Sequence, residues 1–436
     1  QKMAFDALVT EFNESVGMEK GIVVETVGQG NVSELTEKVI DAANKKVGAG
    51  DIPEIFAAYA DTAYQIDQMG LVADISPYLT EAELNENIPG SIDEGRIGDG
   101  SGLKIFPTAK STEIFMLNKT DWDAFAAATG ASLDSLKTME GLVKTAEAYY
   151  NWTDSLTAEP DDGKAFFGRD AMANYFIIGC KQLGMEIFAV NNGKVTLNLD
   201  EEVLRKLWDN YYVPFINGYY TAIGKFRSDD AKTGDLIALV GSTSGAAYFP
   251  SHVVLGDTDT YPIEALALPA PQFEGGEAYA VQQGAGMVVS KSNEKKERAS
   301  LEFLKWFTQE DRNIAFSIES GYLPVKKAAN DSARLEQALD KLEQTAVTAN
   351  LKISMSVAVD TVNKNQMYTN KAFENGTSAR AALENSLSDK YKADRAQVLS
   401  LIEAGSSHDE AVAVYNTDEN FQLWLTSFRE TLQETV

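Results

Sequence analysis

The run FPTAKSTEIFMLNKT, residues 106–120, decides the fold. Apolar strand-like stretches stand at either side, and Lys110, Ser111, Thr112 and Glu113 interrupt them. A strand buried on both faces reads as a near-continuous hydrophobic run, so four consecutive polar side chains do not belong inside one. They do belong where a chain crosses from one folded unit to another and borders the space between them. The segment therefore predicts two lobes that meet near Lys110 to Glu113.

Working outward, the flanks support that reading. On the N-terminal side Phe5, Leu8, Val9, Phe12 and Val16 share one face at helical spacing, from Gln1 onward. IVVETV (22–27) reads as a strand, 33–47 as a helix, IPEIFAAY (52–59) as a strand, and the next helix stops at Gly70. Strands alternating with helices imply a parallel sheet covered on both faces. Ligands of such sheets gather at the strands' carboxyl ends, which nominates Tyr59 and Asp61. On the C-terminal side, helical patterns at 171–183 and 201–216 and the strand LIALV (236–240) form a second α/β unit. Later come an apolar strand before Pro269, a Gly-rich loop QQGAG, a strand ending at Ser290, and a helix capped by Ser292 or Asn293 with a stripe of Ala299, Phe303, Trp306 and Phe307. Gly321 suits a helix C-cap and Pro324 forbids continuation. The remainder is helical and polar, with Trp424 and Phe428 available to dock it.

Length and charge bound the function. A chain of 436 residues, 44% hydrophobic, exceeds what one core usually fills. Its 65 acidic against 38 basic residues give a net charge of −27, which disfavours nucleic acid and anionic membranes as partners. Cys180 is the single cysteine and lies among apolar neighbours, so no intrachain disulfide forms. No run of about 18 apolar residues exists to span a membrane.

The chemistry-bearing candidates point away from catalysis. VGSTSGAAYFP (240–250) puts Ser242, Thr243 and Ser244 directly after an apolar strand, but a nucleophile elbow needs serine between its glycines, and Thr243 holds that place. Only His252 and His408 are present, so neither a serine triad nor a zinc site is expected. GDTDTY (256–261) lacks the glycine and glutamate of a calcium loop and reads as an acidic turn. No metal or other cofactor is expected. What remains is an inventory of hydroxyls, amides and aromatics at strand ends: Tyr59, Ser111, Thr112, Glu113, Ser242, Ser244, Tyr248, Gln283, Gly284 and Tyr322. Such groups orient a small polar molecule by directed hydrogen bonds and cover its C–H surface.

The motifs FNESVGMEKGIVVE, FPTAKSTEIFMLNKTDWDAF, GDLIALVGSTSGAAYF, LALPAPQ, GMVVSKSNEKKERASLEFLKWFT and SGYLPVKKAA occur in an order that resembles the extracellular solute-binding proteins, family 1, which feed ABC importers. Within that family the chain is similar to the branch with maltose-binding and glycerol-3-phosphate-binding proteins. The resemblance implies a two-lobed α/β fold of the type II periplasmic-binding-protein kind, each lobe a mostly parallel sheet flanked by helices, with the ligand cleft between them. It implies lobes formed by 1–110 with 268–320 and by 111–267 with 321–436, the C-terminal helices packing back on the molecule. Crossings are expected at Lys110 to Glu113, Leu266 to Ala270 and Gly321 to Pro324. The same resemblance carries ligand contact onto Ser242, Thr243 and Ser244, onto Ser111 and Thr112, onto Gly284 and onto Tyr322. A stacking surface is sought among Phe166, Phe167, Tyr175 and Trp152.

The implied function is non-enzymatic capture of a sugar or small polyol, outside the cytoplasm, by a monomer that delivers it to ABC permease subunits. The family opens with a strand before its first helix, whereas Gln1 already stands in the helix here. The resemblance implies a place either in the periplasm or on the outer face of the cytoplasmic membrane, held there by a lipid on a cysteine that would lie upstream of Gln1. Two rivals stand beside this. A glycerol-3-phosphate or glycerophosphodiester ligand would use Lys110, Arg169, Lys225 and Arg227 as a clamp, although no arginine lies between Arg334 and Arg380, where the branch places its C-terminal one. A hydrolase would use Glu113 with a second carboxylate as acid and base.

Overall fold

The computed structural model describes residues 2–29, 32–191, 193–256, 259–343 and 345–436. The helical placement expected for Gln1 and the middle of the 256–261 turn lie outside the described residues.

Two sheets organise the molecule. The first contains Ile55–Ala58, Gly286–Val289 and Ile105–Phe106 in that spatial order. The second contains Ala265–Pro269, Glu113–Asn118, Ala238–Ser242 and Phe167–Arg169. The expected mostly parallel ladders are not what these strands form: Gly286–Val289 runs antiparallel to both its neighbours, and so does Glu113–Asn118. The pair Phe167–Arg169 and Ala238–Ser242 is parallel. The crossings explain the difference. Each lobe's resident strands all run toward the cleft, but the strand entering from the other lobe starts at the cleft and runs away from it. That strand inserts centrally, so parallel residents become separated by one antiparallel member. The carboxyl ends of the residents still converge on the cleft.

A second correction concerns Ile22 to Val27, expected as a strand. It is extended but pairs with no other strand among the described residues, and Val23 and Val27 are exposed. The Asn13 amide takes the place of a ladder partner, donating to Val24 O and accepting from Val24 N, both at 2.8 Å.

The cores fall mainly into two sets, and a further cluster packs Ile314 and Ile318 against Ile114, Met116 and Met355. One set packs Leu8 and Phe12 of the Lys2–Glu14 helix against Phe303 and Trp306, and Phe56, Ala63 and Ile66 against Val288. The other is aromatic and larger. Trp208 stacks on Tyr212 at 3.6 Å between centroids, Trp424 of the last helix packs on Trp208, and Phe428 stacks on Trp424. Phe273 and Val281 belong to this second core, and Ala265–Pro269 pairs with Glu113–Asn118. The stretch from Leu268 to Val281, expected in the first lobe, therefore packs on the second, and Leu266 to Ala270 is not a crossing. Its backbone is committed to the second sheet, and the chain enters the first lobe only at Gly286–Val289. Cys180 is fully buried in the second core, where loss of water pushes its thiol far above the ordinary range.

Candidate functional site

The crossings lie side by side. Lys110 N donates to Leu323 O at 3.0 Å, and Leu323 N returns a bond to Lys110 O at 2.6 Å. Ser111 N donates to Gln283 O at 2.8 Å and Gln283 N to Ser111 O at 3.1 Å. Gln282 to Gly284 thus takes the place predicted for Leu266 to Ala270. Gly284 has φ +109°, and a Cβ there would stand 3.3 Å from Ala109 O and 3.5 Å from the Tyr322 ring. The tight apposition of the three segments requires this glycine.

A buried polar network grows from the same strip. Glu113 starts its strand opposite Ser242, and Arg169 ends the strand on the far side of Ala238–Ser242. Their side chains meet at 2.5 Å, both buried. Asn174, near the start of the Met172–Gln182 helix, donates to Glu113 Oε1 at 2.9 Å and to Gln283 Oε1 at 3.0 Å. Its own oxygen accepts from Arg380 at 2.6 Å. Five side chains thus join the second sheet and the Gly376–Glu403 helix to the crossing at Gln283.

Two large cavities flank this network and share Gln283. The larger, about 1040 Å³, is lined by Ser242, Ser244, Tyr248, Phe226, Asp170 and Lys232, among others. Ser242 and Ser244 hydroxyls are 3.1 Å apart, and Ser242 Oγ also accepts from Gly245 N. Burial raises the Asp170 carboxyl, while the Arg227 amide at 2.9 Å and the Arg227 guanidinium pull it back. The smaller, about 740 Å³, is lined by Tyr59, Asp61, Glu94, Asn174, Gly284 and Arg380, among others. Burial raises the Tyr59 phenol, and it pushes Asp61 up to about 6 against the opposing pull of Arg380.

The sequence candidates fall into three groups. Ser242, Ser244, Tyr248 and Glu113 line the larger cavity, and Tyr59, Asp61 and Gly284 the smaller. Tyr322 stands beside Gly284 without lining either cavity. Ser111, Thr112, Thr243 and Phe166 are buried away from both. Ser111 is spent on the crossing. Thr112 and Thr243 are fully enclosed, Thr243 N donating to Thr112 O at 3.0 Å. Phe166 packs between Trp122 and Tyr149, with Trp152 beside Tyr149. The expected stacking surface is core, because Phe166, Phe167 and Tyr175 all point into the second lobe's aromatic cluster. The exposed rings at the cleft are instead Tyr59, Phe226 and Tyr248.

The expected phosphate clamp does not assemble. Lys110 is held by Glu94 and by Gly284 O, Arg169 by Glu113, and Arg227 by Asp230 and Gly224 O. Lys225 lies over Phe226. The cation that the sequence does not single out is Arg380, which bonds Asn174 and lines the smaller cavity. No local motif marks it; only its spacing four residues from Gly376, at the start of a helix, places it on the cleft-facing turn. Among the described residues no group of three or more His, Cys, Asp and Glu could hold a metal, and no helix is long and apolar enough to cross a membrane.

A family model described as bacterial extracellular solute-binding protein matches residues 7–343. The chain belongs to this family. Solved structures agree on the architecture of this solute-binding protein. The cyclic α-maltosyl-1,6-maltose binding protein of Arthrobacter globiformis superposes with a TM-score of 0.65 at 18% identity, over 98% of this chain and 96% of that one. UgpB of Mycobacterium tuberculosis, in complex with glycerophosphocholine, gives 0.64 at 18% identity over 98% and 95%. The GacH receptor of Streptomyces glaucescens, in complex with acarbose, gives 0.64 at 15% identity over 100% and 96%. At these identities the likeness establishes the two-lobed fold. A comparison with curated proteins gives no match.

Proposed function

We propose that this extracellular solute-binding protein captures a carbohydrate or small polyol in the cleft and delivers it to the membrane subunits of an ABC importer, the lobes closing as a hinge about Lys110–Ser111, Gln283 and Leu323. The observation that carries this reading is the neutral part of the lining of the two cavities that share Gln283, the hydrogen-bonding groups of Ser242, Ser244, Asn174 and Gln283 beside the exposed rings of Tyr59, Phe226 and Tyr248. Neutral polar groups fix the orientation of hydroxyls, and ring faces cover the C–H side of a pyranose. The sugar-binding structures of the same fold support the ligand class. The protein acts as a monomer outside the cytoplasm, in the periplasm or held by lipid on the outer face of the cytoplasmic membrane. It makes and breaks no covalent bond: Glu113, the rival acid or base, is tied to Arg169 and Asn174. Isothermal titration against maltose, maltotriose, maltitol, glycerol 3-phosphate and glycerophosphocholine tests the ligand class. Heat from the sugars with unchanged solute recovered afterwards supports it; no response to any of the neutral compounds overturns it.

One observation favours a second ligand. Arg380 brings its guanidinium to the smaller cavity, the group that suits a phosphate or phosphodiester. A phosphorylated ligand loses affinity as salt rises, whereas a neutral sugar keeps it.

A further inference from the structure

The Ala60–Gln68 helix of the first lobe presents Asp61 and Tyr64, three residues apart and so on one face, to the second lobe. Each meets a glycine there. A Cβ built on Gly376 would stand 2.3 Å from Asp61 Oδ1, and one on Gly193 would stand 3.0 Å from the Tyr64 hydroxyl. No side chain fits at Gly376 while the carboxylate is in place. Asp61 Oδ1 is buried and has no hydrogen-bond partner. A carboxylate pressed against another lobe's backbone with one oxygen unsatisfied is a costly seat for a charge, and an acceptable one for a neutral acid.

We infer that Asp61 is a closure residue: its docking against Gly376 makes swinging the lobes together take up a proton. This rests on the hinge reading above and concerns a step that reading leaves open. Every charged or titratable neighbour bears on the balance. Arg380, from the same helix as Gly376, opposes protonation, as does the Phe373 amide just before that helix. Glu94 favours it, though Lys110 and Gln282 hold that carboxylate. Tyr59 adjoins on the first lobe, and Glu37 and the Asp41–Lys46 pair line the same cavity farther off. Burial outweighs the opposing groups and puts the docked carboxyl at about 6, against 3.8 in water. The sign follows: the docked pKa is raised, so closure gains fully below the free value and loses that gain as pH rises through about 6. Over pH 8 to pH 5 the closed-to-open ratio rises about tenfold. Neither histidine can substitute as the source, since His408 bonds Asn217 O and His252 bonds Ser251, both in the second lobe.

The test uses the unliganded chain with spin labels on Cys substituted at Val47 and Leu156, exposed positions on the two lobes, and reads the interlobe distance distribution at pH 5 and pH 8. The expected result is a closed population about tenfold larger relative to open at pH 5, shrinking to less than twofold dependence in the isosteric Asp61→Asn. Loss of negative charge at low pH also compacts an acidic protein, and Asp61→Asn carries that background unchanged. Gly376→Ala removes the closed population at both pH values, and Asp61→Ala in the same chain restores it, with circular dichroism showing all variants folded. Equal pH dependence in Asp61→Asn and the parent overturns the inference. If solutes of the titration panel close the parent identically at pH 5 and 8, the proton link fails and the hinge stands. If no solute and no pH moves the distance, the hinge reading falls with it.

Discussion

The two cavities beside Gln283 are built from different materials. The larger takes its hydroxyls from one contiguous loop, Gly241 to Phe249, at the end of a central strand, bonded to one another and to backbone, with Phe226, Lys232 and Gly321 among the residues that complete the wall. The smaller draws on Tyr59 and Asp61 from one helix start, Asn174 from a second, and Arg380 from a helix near the chain's other end. The hydroxyls of the first are neighbours in the chain, whereas the charged groups of the second come from elements far apart in it.

Glu113 lines the larger cavity and holds Asn174 of the smaller, and removing it should have the largest effect. Its loss leaves Arg169 buried with Nε already unpaired, and deprives Asn174 of an acceptor. Glu113→Ala should cost about 3–5 kcal/mol of unfolding free energy, since an uncompensated buried charge remains. A lowered midpoint in urea with an unchanged slope checks it. If instead only solute affinity falls, Glu113 is a ligand contact and the shared scaffold is a wrong description.

Arg380→Gln separates the halves next. For a phosphate-bearing solute, affinity should drop by about 1.5–3 kcal/mol, the worth of a hydrogen bond to a charged group, and the salt dependence should flatten. For a neutral sugar the loss should stay near 1 kcal/mol. Titration at two ionic strengths reads both. Tyr248→Ala probes the other cavity: its ring is 77% exposed at the cleft, and losing a stacking face should weaken sugar binding by about 0.5–1.5 kcal/mol with stability unchanged.

The same contrast explains what the sequence disclosed. The hydroxyl loop was legible because strand, glycines and serines are neighbours in the chain, and the two lobes because polar residues interrupt an apolar run at 110–113. The helices at 171–183 and 201–216 followed from periodicity alone. The antiparallel insertions were not legible, since strand direction is set by which lobe the chain comes from, and nothing in Gly286–Val289 records that. The Asn13 clamp on Val24 likewise turns an apolar strand pattern into an unpaired segment without local warning. Arg380 lies 206 residues from the Asn174 it bonds, on a helix whose polar composition gives no reason to single it out. The aromatic residues at 166, 167 and 175 misled for the opposite reason: ring composition does not distinguish a stacking platform from a core.

Thr243 gives the finest test of the hydroxyl half, because its sequence position and its burial disagree. It stands between Ser242 and Ser244, yet it is fully enclosed and its hydroxyl has no partner, as is true of Thr112 beside it. An unsatisfied buried hydroxyl costs desolvation and returns nothing, so replacing it with a methyl of equal shape is neutral or favourable. Thr243→Val should therefore raise stability by about 0–1 kcal/mol and leave solute affinity unchanged, while Ser242→Ala, at the cavity surface, should lower affinity by about 1 kcal/mol. Thermal melts and titration of the two variants side by side decide the matter. A Thr243→Val protein that binds as poorly as Ser242→Ala would mean that the loop turns over when solute enters, bringing the middle hydroxyl out, and the hydroxyl loop would have to be counted among the moving parts.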